Sequence, residues 1–304
     1  MRGWLASRDS GASLLAPHPY PQAGRGDDAA ADWGRRMPPT RLWAEMSWRD
    51  FVAADMARTV AVLPVAAVEQ HGPHLPVGTD AFIGEGYLQR TMAHLPADWP
   101  VLFLPPQTIG ASDEHGEYPG TLTLPFETLI GVLTAIGDGV ARAGCRKLVF
   151  INAHGGNVPA IDAAALTLRA RHAMLCVHAS WRRLGYPDGL FSERERVYGV
   201  HGGDAETSLT LAFRRETVKM DRAQDFASAG ESMAAEFKRL RGAQQLGFAW
   251  MASDLNPEGA VGEAASATVA KGEVAADYGA AAFIELLGDV IAFDLARFAS
   301  GPLG

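Results

Sequence analysis

Thr59-Val60-Ala61-Val62-Leu63-Pro64-Val65 is a short β-branched run, apolar on both faces, as a central strand of a parallel sheet requires. A loop dense in Pro, Gly and His follows from Glu69 to Gly78. Thr79 or Asp80 then caps a helix that runs through Ala81, Ile83, Tyr87 and Leu88 to about Met92. Strand, polar loop and helix make one βα unit.

Working outward, the unit recurs. Val101 to Leu104 reads as a strand, Gly131 to Ala143 as a helix and Lys147 to Ile151 as a second buried strand. The latter runs straight into Asn152-Ala153-His154-Gly155-Gly156-Asn157. A helix from about Pro159 to Arg171, with Pro159 suited to its first turn, leads to a strand over Met174 to His178. Glu206 to Phe213 opens a further helix, Gly262 to Gly272 reads as a loop, and Ala276 to Phe298 as a closing helix. Alternation of this kind predicts an α/β fold, a three-layer α/β/α sandwich around a mainly parallel sheet. On the N-terminal side, Leu42, Trp43, Met46, Phe51 and Met56 mark an amphipathic start with Ser47 as a helix N-cap. Residues 1–38 are rich in Gly, Ala, Pro, Asp and Arg, lack an apolar period and are expected to form a disordered extension. Residues 39–304 then form the folded domain.

The chain has 304 residues, 48% hydrophobic and 20% charged, which is room for a large buried core. With 27 basic against 35 acidic residues and a net charge of −8, it offers no global positive field to nucleic acid or anionic lipid. Apolar runs stop at strand length, so a membrane span is not expected. Cys145 and Cys176 sit in apolar runs without ligand spacing, which predicts free thiols in a reducing cytoplasm. No G-x-S-x-G elbow and no P-loop occur. Gly84-x-Gly86 and Gly137-x-Gly139 each lack the third glycine of a dinucleotide fingerprint.

Ligand-type residues gather at the carboxyl ends of the predicted strands, where the crevice of an open parallel sheet lies. Glu69, His71, His74 and Asp80 follow the first strand and His154 follows Lys147 to Ile151. His201 and Asp204 precede the Glu206 helix. A dinuclear hydrolytic centre needs a bridging carboxylate, terminal His and carboxylate ligands and an open position for water. Glu69, His71, Asp80, His154 and Glu206 can supply that set, although Glu206 also suits a helix first turn through the dipole. Gly155 and Gly156 would let backbone approach a substrate. Glu114, His115 and His178 are candidate substrate contacts, whereas His74 reads as a structural hydrogen-bonder. Phe191 to Val200, charged at Glu193, Arg194, Glu195 and Arg196, reads as a lid, a subunit contact or, by default, a solvated helix face. Trp181, Trp250 and Met251 either line a pocket or belong to the core.

Three segments carry a resemblance: Glu69-Gln70-His71-Gly72-Pro73-His74-Leu75-Pro76 with Thr79-Asp80, then Asn152-Ala153-His154-Gly155-Gly156-Asn157, then His201-Gly202-Gly203-Asp204-Ala205-Glu206-Thr207-Ser208. In this order they resemble the creatininase (creatinine amidohydrolase) family, over about residues 41–295. Glu114-His115 with Pro119-Gly120-Thr121 is similar to a fourth family segment. The resemblance implies the three-layer fold, two divalent ions per subunit, zinc or manganese with iron(II) compatible, and a homo-oligomer, hexameric in creatininase itself. It implies hydrolysis of a cyclic amide, formamide or similar non-peptide C–N bond of a small molecule by a metal-bound hydroxide. By motif, Glu69 and His154 would hold one ion, His71 the other, and Asp80 would bridge them. His201 would be the catalytic histidine that protonates the leaving nitrogen. Where creatininase has a metal-binding glutamate this chain has Gly156, so either Glu206 supplies that carboxylate or the second site is weak or empty. Gly155 stands where creatininase has a substrate-facing aromatic. Relatives with the His-Gly-Gly-Asn form include formylamino-pyrimidine deformylases and a peptidase that trims a peptide-derived cofactor precursor. That peptidase activity and a non-catalytic metal- or ligand-binding role are the alternatives.

Overall fold

The computed structural model describes residues 37–242 and 246–298. All but the last two residues of the extension expected over 1–38 lie outside the described residues. In chain order the regular elements are α1 (Trp48–Ala53), β1 (Val60–Val65), α2 (Thr79–His94), β2 (Val101–Phe103), α3 (Phe126–Arg142), β3 (Lys147–Asn152), α4 (Val158–His172) and β4 (Leu175–Ser180). They continue with α5 (Trp181–Leu184), α6 (Glu193–Tyr198), α7 (Asp204–Arg214), β5 (Asp225–Phe226), α8 (Ala229–Glu236), α9 (Ala252–Leu255), β6 (Gly262–Glu263) and α10 (Val269–Ala292).

Among the described residues the main sheet has the order β2-β1-β3-β4, all parallel. Alternate strand residues feed two cores, as a sheet covered on both faces demands. Ala61, Leu63, Val65, Leu148 and Phe150 pack with Leu129 and Leu133 of α3 and Ile161 and Leu168 of α4. Val60, Val62, Val149 and Ile151 pack on the other face with Ile83 and Tyr87 of α2, Leu209 of α7 and Phe283 and Leu287 of α10. Pro64 stands where the regular ladder to β2 has ended at Val62↔Phe103, and its carbonyl accepts from Gln107 N at 2.9 Å.

The boundaries depart from expectation where small residues serve packing. α10 begins at Val269, capped by Thr268, whose hydroxyl accepts from Lys271 N at 3.2 Å, rather than at Ala276. Gly272 had read as loop punctuation. In the fold a Cβ there would meet Ser208 O at 1.9 Å, so the glycine permits close approach of α10 to α7. The helix stops at Ala292 rather than Phe298, and Asp294 caps a separate 3-10 turn over Leu295–Arg297. α3 starts at Phe126, directly after Pro125, rather than at Gly131. Gly262–Glu263, within the expected loop, pairs antiparallel with Asp225–Phe226, a ladder too short to carry a period. Ser47 does open α1, its backbone N donating to Asp50 Oδ2 at 2.8 Å. Both cysteines are free, Cys145 buried and Cys176 partly so. No helix among the described residues is long and apolar enough to cross a membrane.

The strand order reverses at β1/β3. From β1 the chain crosses to β2 on one side, and from β3 to β4 on the other. Connections that diverge in this way leave a crevice at the carboxyl ends of the two strands. Val65 pairs with Asn152 and accepts a bond from Ala153 N at 2.9 Å, so the Glu69–Asp80 and His154 loops leave the sheet side by side.

Candidate metal centre

Glu69, His71 and Asp80 come from the β1–α2 connection, His154 from the end of β3, and His201 and Glu206 from the approach to and first turn of α7. All but Glu206 are buried. Asp80 sits between two histidines, with Oδ1 3.4 Å from His71 Nε2 and Oδ2 3.5 Å from His154 Nδ1. Glu69 Oε1 lies 3.1 Å from His154 Nδ1, 3.5 Å from His115 Nε2 and 3.7 Å from His201 Nδ1. Glu206 Oε2 accepts from Gly202 N at 2.5 Å and stands 3.8 Å from His71 Nε2. It is thus both a first-turn carboxylate and a neighbour of the cluster. Gly202 has φ of +66°, and this left-handed turn brings His201 and Glu206 to the same site.

Backbone carbonyls fix the imidazole orientations. His71 Nδ1 donates to Glu69 O at 3.0 Å, which turns Nε2 toward Asp80 and Glu206. His154 Nε2 donates to Ala111 O at 2.9 Å and leaves Nδ1 toward Glu69 and Asp80. His201 Nε2 donates to Gln70 O at 2.6 Å and leaves Nδ1 facing Glu69. Such outer bonds set the tautomer that a metal needs.

Both Glu69 oxygens, His71 Nε2 and Asp80 Oδ2 are buried without a well-directed hydrogen bond among the described residues. Orphaned buried acceptors are costly, and a cation satisfies them. Ligand atoms within 4.8 Å of one another form the groups Glu69-Asp80-His154 and His71-Asp80-Glu206, which share Asp80, and also Glu69-His71-His201. The donor set of imidazole and carboxylate suits zinc, manganese or iron(II).

Without metal, protons take the cations' place. Burial works against imidazolium at both His71 and His154. Asp80, Glu206 and Glu69 nevertheless raise His71 to about 9, and Glu69, Asp80 and Glu114 raise His154 to about 10. Burial and Glu69 lift Asp80 to about 6. Glu69 itself is held well below the usual carboxylate range, because His154, His115 and His201 overcome the effect of burial. Burial, then His71, lowers His201 to about 4, and burial, then His201, lowers His115 to about 2. A raised histidine contributes stability that is complete below its unfolded value of 6.5 and is lost as pH rises through 9 to 10. Chelator-treated protein is therefore expected to lose melting temperature from pH 6.5 upward, so that its gap to metal-loaded protein widens. Melting curves over that range test this, and a gap that narrows contradicts the pairing.

The centre lines a cavity of about 1410 Å³. Glu114, His115, Gly155 and Gly156 line it too. Glu114 Oε1 is 3.5 Å from His154 Nε2, on the side of the ring away from Asp80. His115 stacks on His201 with centroids 4.1 Å apart and accepts at Nδ1 from Gln70 Nε2 at 2.7 Å. A Cβ on Gly155 meets nothing within 4 Å, whereas one on Gly156 would lie 2.4 Å from both Ala111 O and His154 Nε2. Gly156→Ala is expected to cost about 1–3 kcal/mol of stability by overpacking and to lower metal content, with Gly155→Ala close to neutral. Urea unfolding and metal analysis of the pair check this.

Other expectations divide. His178 pairs with Asp162 at 2.8 Å and is not among the cavity residues, and His74 bonds Thr207 at 2.9 Å as a structural group. Trp181 is core, stacked on Tyr87 at 4.4 Å, while Trp250 and Met251 line the cavity. The solvated face expected over Phe191 to Val200 is corrected in part: Glu193 and Arg196 are exposed, but other residues of the segment are buried or engaged. Glu195 is buried and accepts from Ala205 N and Glu263 N at 3.1 and 2.8 Å, Arg194 pairs with Asp225 and Glu231, and Arg196, Val197 and Val200 line the cavity. Sequence reading missed Gln70, which sits in a quoted motif. It also missed the bracing of the loops by Asn157, which accepts from Ala111 N at 2.9 Å and donates to Ala66 O at 3.0 Å.

A family model described as creatinine amidohydrolase, the creatininase family, matches residues 44–287. A mycofactocin precursor peptide peptidase of Mycobacterium ulcerans is 32% identical over 248 residues, 80% of this chain and 87% of that protein. A creatinine amidohydrolase of Pseudomonas putida is 31% identical over 202 residues, 61% of this chain and 76% of that protein. The solved structure of a creatininase variant of zinc–zinc type is similar with a TM-score of 0.64 at 26% identity, covering 82% of this chain and 98% of that one.

Proposed function

The chain belongs to the creatininase family of hydrolases, and we propose that it is a metal-dependent amidohydrolase that cleaves the C–N bond of an open-chain amide. The observation that carries this is a set of buried, orphaned ligand atoms in two groups sharing Asp80 on the wall of an open cavity. In this reading Glu69, Asp80 and His154 hold one divalent ion, and His71, Asp80 and Glu206 hold the second. Bound there, the ions supply a Lewis acid for the carbonyl oxygen and lower the pKa of water toward neutrality.

The chain's own residues do the rest. His201, neutral because burial and His71 depress it, keeps its proton on Nε2 against Gln70 O, so Nδ1 is free to accept. It takes a proton from the attacking water and passes it to the departing nitrogen. His115, stacked on His201, and Gln70, bonded to His115, hold that ring in its plane. Gly155 and Glu114 present backbone and carboxyl to the substrate.

Two features favour an extended amide, including a peptide end, over a compact cyclic one. The cavity, at about 1410 Å³, exceeds the roughly 300–1,000 Å³ of small-molecule sites. A relative covering most of both chains is described as a peptide peptidase. The test is elemental analysis of protein purified without added metal, paired with turnover of creatinine, formamides and blocked peptides. About two ions per chain with cleavage of the open-chain amides is the expected result. Absence of bound metal after reconstitution, or turnover of creatinine alone, overturns it.

A further inference from the structure

The chain is acidic overall, yet six of its 27 cations line the cavity that holds the metal centre: Arg182, Arg183, Arg196, Lys238, Arg239 and Arg241. They come from two separated stretches, α5 with α6 and the segment after α8. The acids in the same cavity do not neutralise them. Glu69, Asp80, Glu114 and Glu206 face the histidines of the centre, and Asp113 accepts from the Thr123 hydroxyl at 3.0 Å.

The cations themselves are poorly engaged. Arg182 donates to Gly199 O at 3.1 Å and Arg196 O at 3.4 Å, Arg241 to Phe237 O and Leu240 O at 2.7 and 2.8 Å, and the Arg196 guanidinium has, among the described residues, Glu193 of its own helix at 3.8 Å as its one ionic partner. Arg183, Lys238 and Arg239 make no hydrogen bond or ion pair among the described residues. Like charges gathered around one cavity repel each other, and an arrangement of this kind concentrates anionic ligands. Trp250 and Met251 add apolar surface to the same cavity.

We infer that the substrate is anionic: an amide whose body ends in a carboxylate or phosphate, received by Arg183, Lys238 and Arg239 while its carbonyl meets the metal centre. The inference rests on the hydrolase reading for its second half only. A fork of guanidinium and ammonium groups matches either oxyanion, so both sources share one recognition chemistry. A neutral heterocycle leaves these cations unused.

Two matched pairs test it on zinc-loaded protein: N-acetyl-trialanine with a free carboxylate against its C-terminal amide, and N-formyl-aminoethyl phosphate against N-formyl-ethanolamine. Affinity is read by calorimetry, or as KM where a compound is turned over. At least one charged member is expected to bind about tenfold more tightly than its neutral partner. That preference shrinks in about 0.5 M salt. It is lost in the Arg183→Gln, Lys238→Gln, Arg239→Gln triple variant, whose exposed positions leave the core untouched. The pair that discriminates names the source of the anion. Equal binding within both pairs overturns the inference, as does a preference that survives the triple variant. A preference that disappears in the triple variant, with no compound cleaved, supports the anionic site independently of the hydrolase reading, which the metal and turnover assays above decide.

Discussion

Asp80→Ala is expected to lower turnover by about 10³-fold or more and to take metal content from about two ions per chain to one or fewer. Asp80 is buried, presents one oxygen to His71 at 3.4 Å and the other to His154 at 3.5 Å, and belongs to both groups of the proposed centre. Its removal therefore weakens two ligand sets at once. His71→Ala takes away one donor from the His71-Asp80-Glu206 group and leaves Glu69, Asp80 and His154 in place, so loss of about one ion is expected with comparable loss of activity. Asp80→Asn separates charge from shape. It keeps the volume and one oxygen acceptor, and turnover should fall nearly as far as in the alanine variant, because a neutral amide bridges two cations poorly. Full metal content with full activity in either Asp80→Ala or His71→Ala refutes the shared-carboxylate arrangement.

The fold was legible where burial imposes a period. Runs such as Val60 to Val65 and Lys147 to Asn152 are apolar on both faces because helices cover both sides of the sheet, and that fact is local to the run. Misreadings fell where the reason for a residue lies elsewhere in the chain. Gly272 is small because Ser208 O approaches it, and nothing within ten residues of it says so. The pairing of Asp225 and Phe226 with Glu263 and Gly262 joins two-residue strands separated by 35 or more positions, which no pattern window contains.

The site divides in the same way. Glu69, His71, Asp80 and His154 stood out because they follow predicted strands and His201 because it precedes a predicted helix, and the fold gathers all five. Gly156 was read as a way for substrate to approach; it lines the cavity, and a Cβ there would also meet Ala111 O and the ring of His154, a reason that lies elsewhere in the chain. The cations of the cavity lining were invisible for a different cause. Arg182, Arg196 and Lys238 are surface residues by any composition rule, and only the topology brings α5, α6 and the segment after α8 to the same cavity. Glu195 looked like one charge among several. Its burial follows from Gly199, Gly203 and Gly262, each of which would place a Cβ within 2.6 Å of its carboxylate.

His201→Ala is expected to cut kcat by about 10²–10⁴-fold while both ions stay bound. The geometry allows two roles for this residue. Its Nδ1, 3.7 Å from Glu69 Oε1, belongs to a possible ligand group with Glu69 and His71, and the same atom is the free acceptor that a proton carrier needs. The two roles separate in measurement. As a proton carrier, His201 leaves the Glu69-Asp80-His154 and His71-Asp80-Glu206 groups intact when removed, so metal content holds, KM changes little and the pH profile of kcat loses a limb. As a ligand, its loss lowers metal content in proportion to activity, and added metal restores part of both. The carrier role is favoured because the His201 ring is anchored for transfer: Nε2–H is tied to Gln70 O at 2.6 Å and the ring is stacked on His115. Proportional loss of metal and activity in His201→Ala assigns it to the ligands and leaves the proton transfer to another group of the cavity.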